Sequence, residues 1–328
     1  MKAVVFERYG SPDVLELKEV EKPAPADDEV LVRVHAASLN DWDHGAMLGG
    51  DLVNRLLFGL RRPKPTRQIL GSDVAGRVEA VGRNVKKFQV GDAVFGDLSG
   101  TWGGFAEFVC ARESALERKP PGMTFEQAAA TPQAFLLALQ ALQDKARIQP
   151  GQTLLINGGG GGVGTFGIQI ARAHGLEVTA VDSAEKLDRM RALGAHHVID
   201  YRREDFTASG RQYDRILDVK TSRSVLDCAR ALKPDGIYVT VGGSMPRLLQ
   251  VLLLLPWLRM TSRKKVRLLA LKANKGLLAI QELFETGKVV PVIDGPYGLR
   301  DVPAAFRHFG EGRHIGKVVI TILPHDER

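Results

Sequence analysis

The sequence predicts an α/β fold in which a β-rich domain is joined to a doubly wound parallel sheet. Three observations predict it. A strand, a glycine-rich turn and a helix follow one another between Thr153 and Asp182, strands and helices alternate from there onward, and the first part of the chain shows short β-runs broken by Gly, Pro and Asp. At 328 residues the chain is long for one core, so two domains are expected. The expected boundaries are 1–120 with 273–328 for the β-rich domain and 121–272 for the parallel sheet.

In the β-rich part, Val30, Val32 and Val34 alternate with Leu31, Arg33 and His35, and further runs lie at 74–81, 90–95 and 105–110. Turn residues at regular intervals between such runs indicate a barrel or sandwich. At Pro120-Pro121-Gly122 the pattern changes. Thr124 and Gln127 form a capping box before an apolar helical run, which Pro132 restarts and Phe135, Leu136, Leu139 and Leu142 continue. After the glycine turn come a helix at 184–193 stopped by Gly194, strands at 197–200 and 215–219, a helix at 224–232 stopped by Pro234-Asp235-Gly236, and a strand at 237–241. Residues 265–271 supply the edge strand. A helix at 277–285 and short strands ending at 317–322 form a tail that is expected to rejoin the β-rich domain and make it discontinuous.

Within the turn, Gly159, Gly161 and Gly164 fit G-x-G-x-x-G. Each glycine has its own task there: a tight turn, close approach of backbone to a pyrophosphate, and close packing of helix on strand. The helix start offers N–H groups and the positive end of its dipole to phosphate. Gly159, Gly161, Gly162, Val163 and Gly164 are therefore the candidate pyrophosphate contacts. The second strand ends in Asp182, where a ribose-binding acid is expected in such a unit.

Composition excludes several classes. Cys110 and Cys228 are far apart, so neither a disulfide framework nor a cysteine zinc cluster is available. The chain opens on Met1-Lys2-Ala3-Val4-Val5-Phe6-Glu7 with no signal-like apolar run, and no stretch reaches the ~18 apolar residues of a spanning helix, which points to a cytoplasmic protein. The net charge of +7 is met by a phosphate-bearing cofactor and a solvated basic face; without a nucleic-acid-binding motif, no nucleic-acid partner is expected.

Taken together, Met1-Lys2-Ala3-Val4, the run from Val34 to Asp43, Gly71-Ser72-Asp73-Val74-Ala75-Gly76, Gly91-Asp92-Ala93-Val94-Phe95 and Gly160-Gly161-Gly162-Val163-Gly164 resemble the medium-chain dehydrogenase/reductase superfamily. Within it, the chain is most similar to the zinc-free quinone oxidoreductases related to zeta-crystallin. The resemblance covers nearly the whole chain. It implies a GroES-like catalytic domain, a Rossmann domain for a nicotinamide cofactor, and an active site in the cleft between them. The zinc alcohol dehydrogenases carry a Cys where Asn40 stands and Gly-His-Glu where Gly71-Ser72-Asp73 stands, and catalytic zinc needs three protein ligands. His35, His44 and Asp73 are the remaining candidates, but a lone loop His is ordinarily solvated, and no metal is expected.

Without a metal to polarise a plain ketone, hydride transfer is easiest to an acceptor that already delocalises charge, such as a quinone or an enone taking hydride at its β-carbon. The resemblance places Asn40 and Asp43 beside the nicotinamide as catalytic candidates. The same two residues also suit a polar turn in which Asn and Asp bond their own backbone. An NAD-linked alcohol dehydrogenase, or a cofactor-bound binding protein with little turnover, is the rival reading.

Two signals for the cofactor conflict. Asp182 suits the free ribose hydroxyls of NAD(H) and repels a 2′-phosphate. In the resembling quinone reductases a small hydroxyl residue, a Lys and a Tyr hold that phosphate, and Ser183, Lys186 and Tyr201 match their places. Arg202 and Arg203 add charge nearby, so NADP(H) is favoured over NAD(H). Leu137, where many relatives have a Thr, and Lys220-Thr221, where Val-Gly is usual, depart from the pattern.

Two stretches join apolar residues to cations: Leu52 to Arg67, and Leu248 to Leu258 with the basic residues that follow. They read either as core, interface or barrel-covering segments, or as lids at an apolar substrate pocket that touch an anionic membrane surface. The resemblance also allows a homodimer, since relatives often pair the last strands of the parallel sheet, and the oligomeric state is left open. Lys264, Lys265, Arg267 and Lys272 instead suit a protected edge.

Overall fold

The structure is a computed structural model that describes residues 1–50, 52–242, 250–251 and 263–323. The chain forms two compact units, one of residues 1–133, 273–281 and 291–328 and the other of 134–272 and 282–290. Residues 121–133, which the sequence reading assigns to the parallel-sheet domain, lie with the β-rich unit. There Ser38 Oγ donates to the Ala129 carbonyl at 2.8 Å and the Gln133 N–H donates to Asp73 at 3.1 Å. Residues 282–290 go with the parallel sheet, where Gln169 pairs with both backbone groups of Val290.

The β-rich unit is built on a sheet in the order β14-β15-β3-β4-β5-β7, with β6 also on β3 and a separate β1-β2 ribbon. The strands are β1 (Lys2–Phe6), β2 (Leu15–Glu19), β3 (Glu29–Ser38), β4 (Asp73–Val81), β5 (Ala93–Asp97), β6 (Phe108–Arg112), β7 (Glu117–Arg118), β14 (Ile293–Gly298) and β15 (Lys317–Thr321). β3 is almost wholly buried because it has neighbours on both sides and a core beneath, so it is mostly apolar or small, with Glu29 and Arg33 half-buried and His35 buried on Phe125. The tail does return to this unit, through β15 antiparallel to β3. Two helices, α1 (Asp41–Leu48) and α2 (Leu52–Phe58), follow β3 where the sequence reading saw a polar turn and an apolar, basic stretch. The core gathers Val4, Phe6, Val32, Phe58, Val74, Phe105 and Phe306 among others.

The second unit carries six parallel strands in the order β10-β9-β8-β11-β12-β13. They are β8 (Thr153–Asn157), β9 (Glu177–Asp182), β10 (His197–Asp200), β11 (Tyr213–Asp218), β12 (Leu232–Thr240) and β13 (Lys265–Leu268). The order reverses between β8 and β11, the place where open α/β sheets bind ligands. The Thr124 capping box forms with both of its hydrogen bonds and starts α3 (Phe125–Ala129) in the β-rich unit, and Pro132 opens α4 (Pro132–Gln140). α5 (Gly162–Ala173), α6 (Leu187–Ala192) and α7 (Val225–Arg230) link the strands, the last capped by Ser224. Most of the apolar stretch 248–258 lies outside the described residues. Among those described, no helix is long and apolar enough to cross a membrane.

Candidate active site

In the β-rich unit, strand register gathers the polar residues. Ser38 stands opposite Asp73 across β3 and β4, Asp73 stands opposite Asp97 across β4 and β5, and β15 sets Val319 opposite Ser38. Lys317, two residues before Val319, is 4% exposed. Its ammonium donates to the Leu39 carbonyl at 3.0 Å, to Asp73 Oδ2 at 3.0 Å and to Asn40 Oδ1. The Asn40 amide in turn donates to Ser72 Oγ and Asp73 Oδ2, each at 3.0 Å.

Asn40 and Asp43 are brought together, but facing into the protein. They form the capping box of α1: the Asn40 N–H donates to Asp43 Oδ2 at 3.0 Å, and Asp43 Oδ1 accepts the Gly71 N–H at 2.9 Å. Asn40 spends both amide hydrogens on Ser72 and Asp73, and Asp43 is fully buried. Burial above all, and the neighbouring Asp73 in addition, push the Asp43 carboxyl up to about 7. Asp97 is pushed up to about 6 by burial and by Asp73. Its Oδ1 accepts the Ser99 N–H at 2.8 Å, and its Oδ2 is buried with no hydrogen-bond partner among the described residues.

The metal candidates do not converge. His35 stacks on Phe125 at 4.1 Å, His44 lies 5.8 Å from the Phe309 ring, and Asp73 belongs to the lysine cluster. Among the described residues no group of three potential metal ligands occurs.

In the second unit, the glycine turn leaves β8 beside the point where the strand order reverses. The left-handed position is Gly158, with φ of 93°, one residue before the glycine expected to make the tight turn. Gly159 is needed for packing: a Cβ there would lie 2.7 Å from Met190 Sδ and 2.9 Å from the Ala180 Cβ. Gly164 carries the helix-on-strand contact, since a Cβ would meet the Gly158 carbonyl oxygen at 2.1 Å. Gly161 caps α5, and Gly162, Val163 and Gly164 form its first turn, where N–H groups have no acceptor within the helix. This cradle fits a dinucleotide pyrophosphate.

Asp182 does not stand free at the end of β9. Its Oδ2 accepts the Gly160 N–H at 2.9 Å, its Oδ1 accepts the Ser183 N–H at 2.9 Å, and the Lys186 ammonium lies 3.5 Å from Oδ1. Asp182, Ser183 and Lys186 are all buried. Tyr201 is largely exposed and tied to this corner by its N–H on the Asp182 carbonyl at 3.2 Å, with the Arg202 guanidinium 5.6 Å from its ring centre. Lys220 is exposed and its stem borders Gly158, while Thr221 takes a φ of 51° that a β-branched residue seldom adopts.

Sequence reasoning missed Ser72, Asp73 and Lys317 as members of the cluster. The signal for Lys317 was a lysine at the head of the apolar run Val318-Val319-Ile320, a place where only a paired cation is tolerated.

Known proteins resemble this chain along nearly its whole length. Residues 26–121 match the family described as alcohol dehydrogenase GroES-like domain, and residues 193–320 match zinc-binding dehydrogenase. A 2-methylene-furan-3-one reductase of Solanum lycopersicum is 34% identical over 99% of this chain and 80% of its own length. An NADPH-dependent alkenal/one oxidoreductase of Arabidopsis thaliana, chloroplastic, is 32% identical, with 99% and 80% covered. Among solved structures, the quinone oxidoreductase from Coxiella burnetii matches with a TM-score of 0.88 at 29% identity, covering 98% of this chain and 99% of that one.

Proposed function

The chain belongs to the medium-chain dehydrogenase/reductase superfamily, and on that premise we propose that it reduces quinones or α,β-unsaturated carbonyls with NADPH and without a metal. The observation that carries the cofactor half of this reading is the pairing of Asp182 with Lys186 and Gly160. A free carboxylate at the end of β9 would repel a 2′-phosphate, but this one is neutralised from within. Ser183 and Tyr201 then supply donors, and the exposed Arg202, paired at the surface with the exposed Glu185 at 3.1 Å, supplies the cation. Gly161, Gly162, Val163 and Gly164 hold the pyrophosphate, and Gly158 and Gly159 let the turn close on the sheet.

Bound NADPH supplies the hydride. The protein holds the acceptor and excludes water, and the acceptor's own conjugation spreads the charge that a plain ketone would need a metal to stabilise. Asn40 and Asp43 act in this reading by fixing the loop after β3, because their hydrogen-bonding groups are spent on the protein itself.

The test is the fate of label from NADPH deuterated at C4. Reduction of an enone should place deuterium on the β-carbon and leave the carbonyl intact. Deuterium on the carbinol carbon would make the protein an alcohol dehydrogenase, and no transfer to any acceptor would favour a binding role.

The face carrying α1 and α2 supports a second contact. Trp42, Leu48, Leu52, Leu56, Leu57 and Leu60 are all exposed, and Arg61, Arg62 and Lys64 follow directly. Apolar side chains bordered by cations suit an anionic bilayer surface, from which a lipophilic quinone would be reached. Co-sedimentation with phosphatidylserine vesicles should be lost on Leu52→Ser with Leu56→Ser. No binding by the parent protein at low salt would remove this contact.

A further inference from the structure

The zinc branch of this superfamily implies a metal held from the positions of Asn40 and Ser72, and the residues present do not fit one. Asn40 donates to Ser72 Oγ at 3.0 Å, so the two side chains bond each other. The ammonium of Lys317 already collects the surrounding oxygens: the Leu39 carbonyl, Asn40 Oδ1 and Asp73 Oδ2. All three of its hydrogens are used, and it is almost wholly buried. Asp73 is the carboxylate that bonds it, Asp43 lies within reach of its charge, and Asp97 stands opposite Asp73 across β4 and β5, each nearly or fully out of water. Among the described residues, Lys317 is the basic side chain that bonds to this group.

We propose that Lys317 is a resident cation that takes the place of a metal ion, a positioning residue that fixes Asn40 and Asp73 and thereby the loop from Leu39 to Asp43. Three features of the geometry support it. A cation within 3.0 Å of the available oxygens repels any second cation there. Buried carboxylates need a paired, hydrogen-bonded partner, and Asp73 has one in Lys317 together with donors from Ser38, Asn40 and Gln133. Lys317 also links the ends of three strands: β15 bears it, β3 leads into the Leu39 carbonyl it bonds, and β4 starts at Asp73. Removing the charge leaves Asp73 buried without its counter-ion and frees the Asn40 carbonyl to turn.

The experiment compares the parent protein with Lys317→Met and Lys317→Arg in two assays. In the first, equilibrium dialysis against micromolar zinc alone, the parent should take up well under about 0.1 equivalent per chain, as a dissociation constant weaker than about 10 μM requires. Uptake of one equivalent by the parent would overturn the proposal. In the second, which rests on the proposed reductase activity, Lys317→Met should lower kcat about 10- to 100-fold with the KM for NADPH within about threefold, and Lys317→Arg should restore about half or more of the parent rate. A purely structural lysine would lower the active fraction and melting temperature of Lys317→Met without this split and without rescue by the conservative variant. Unchanged kcat in a folded Lys317→Met would also overturn the proposal. If Lys317→Met does not fold, the zinc titration of the parent and the Lys317→Arg kinetics still decide, and absence of any reductase activity in the parent would count against the proposed reaction while the dialysis result stands.

Discussion

The Asp182 carboxylate accepts the N–H of Gly160 at 2.9 Å, so the acid that ends the second strand of the nucleotide-binding sheet braces the glycine turn that starts from the first. An acid in this position would ordinarily select NAD(H) through the ribose hydroxyls. Here its charge is shared among Gly160, Ser183 and Lys186. On the proposed reading, the cofactor preference passes to the cations.

Lys186→Ala should remove the counter-ion and restore the repulsion. NADPH binding should weaken about tenfold or more, equivalent to ~1.4 kcal/mol, with NADH affected less than threefold. Isothermal titration with both cofactors checks this. Equal losses for the two would assign Lys186 to folding of the turn and not to the 2′-phosphate.

Gly164→Ala should be severe, because its Cβ would lie 2.1 Å from the Gly158 carbonyl oxygen and neither backbone can retreat without opening the turn. A loss of about 2–4 kcal/mol in urea unfolding, together with loss of cofactor binding, is expected. Gly50→Ala serves as the comparison: a Cβ there meets nothing within 4 Å among the described residues, and stability should stay within about 0.5 kcal/mol.

How much of this was legible in the sequence follows from the range of the interactions. The parallel sheet, its edge strand and the Thr124 capping box are local patterns of periodicity, turn residues and caps, and they appear where expected. The return of the tail to the first sheet was legible too. The left-handed turn at Gly158 in place of Gly159 was not, because five consecutive glycines give no local reason to prefer one. Asn40 and Asp43 carried both a site reading, from the resemblance, and a polar-turn reading in the same four residues, and the structure uses them to start a helix. The Lys317 contact with Asp73 spans 244 residues and depends on the register of β15, β3 and β4, which no local pattern encodes.

Stability should fall as pH rises toward neutrality on account of Asp43. Its folded-state carboxyl is raised by burial to about 7 from an ordinary 3.8, so the folded protein holds a proton that the unfolded chain has released. The contribution is fully present below about pH 4, is lost as pH climbs to about 7, and is level above that. Asp97, raised to about 6, acts in the same direction. Urea unfolding at intervals from pH 4 to 8 should show a slope for the parent that is shallower in Asp43→Asn by up to about 1.4 kcal/mol per pH unit. An identical slope in the variant would mean that Asp43 is ionised throughout.

The central claim, metal-independent reduction of a conjugated acceptor by NADPH, is tested most directly by following NADPH and NADH oxidation with an ortho-quinone and with an enone, each with and without a strong chelator. The account predicts turnover that is faster with NADPH and unchanged by the chelator. Activity lost to the chelator and restored by zinc, or turnover confined to NAD and simple alcohols, would contradict it.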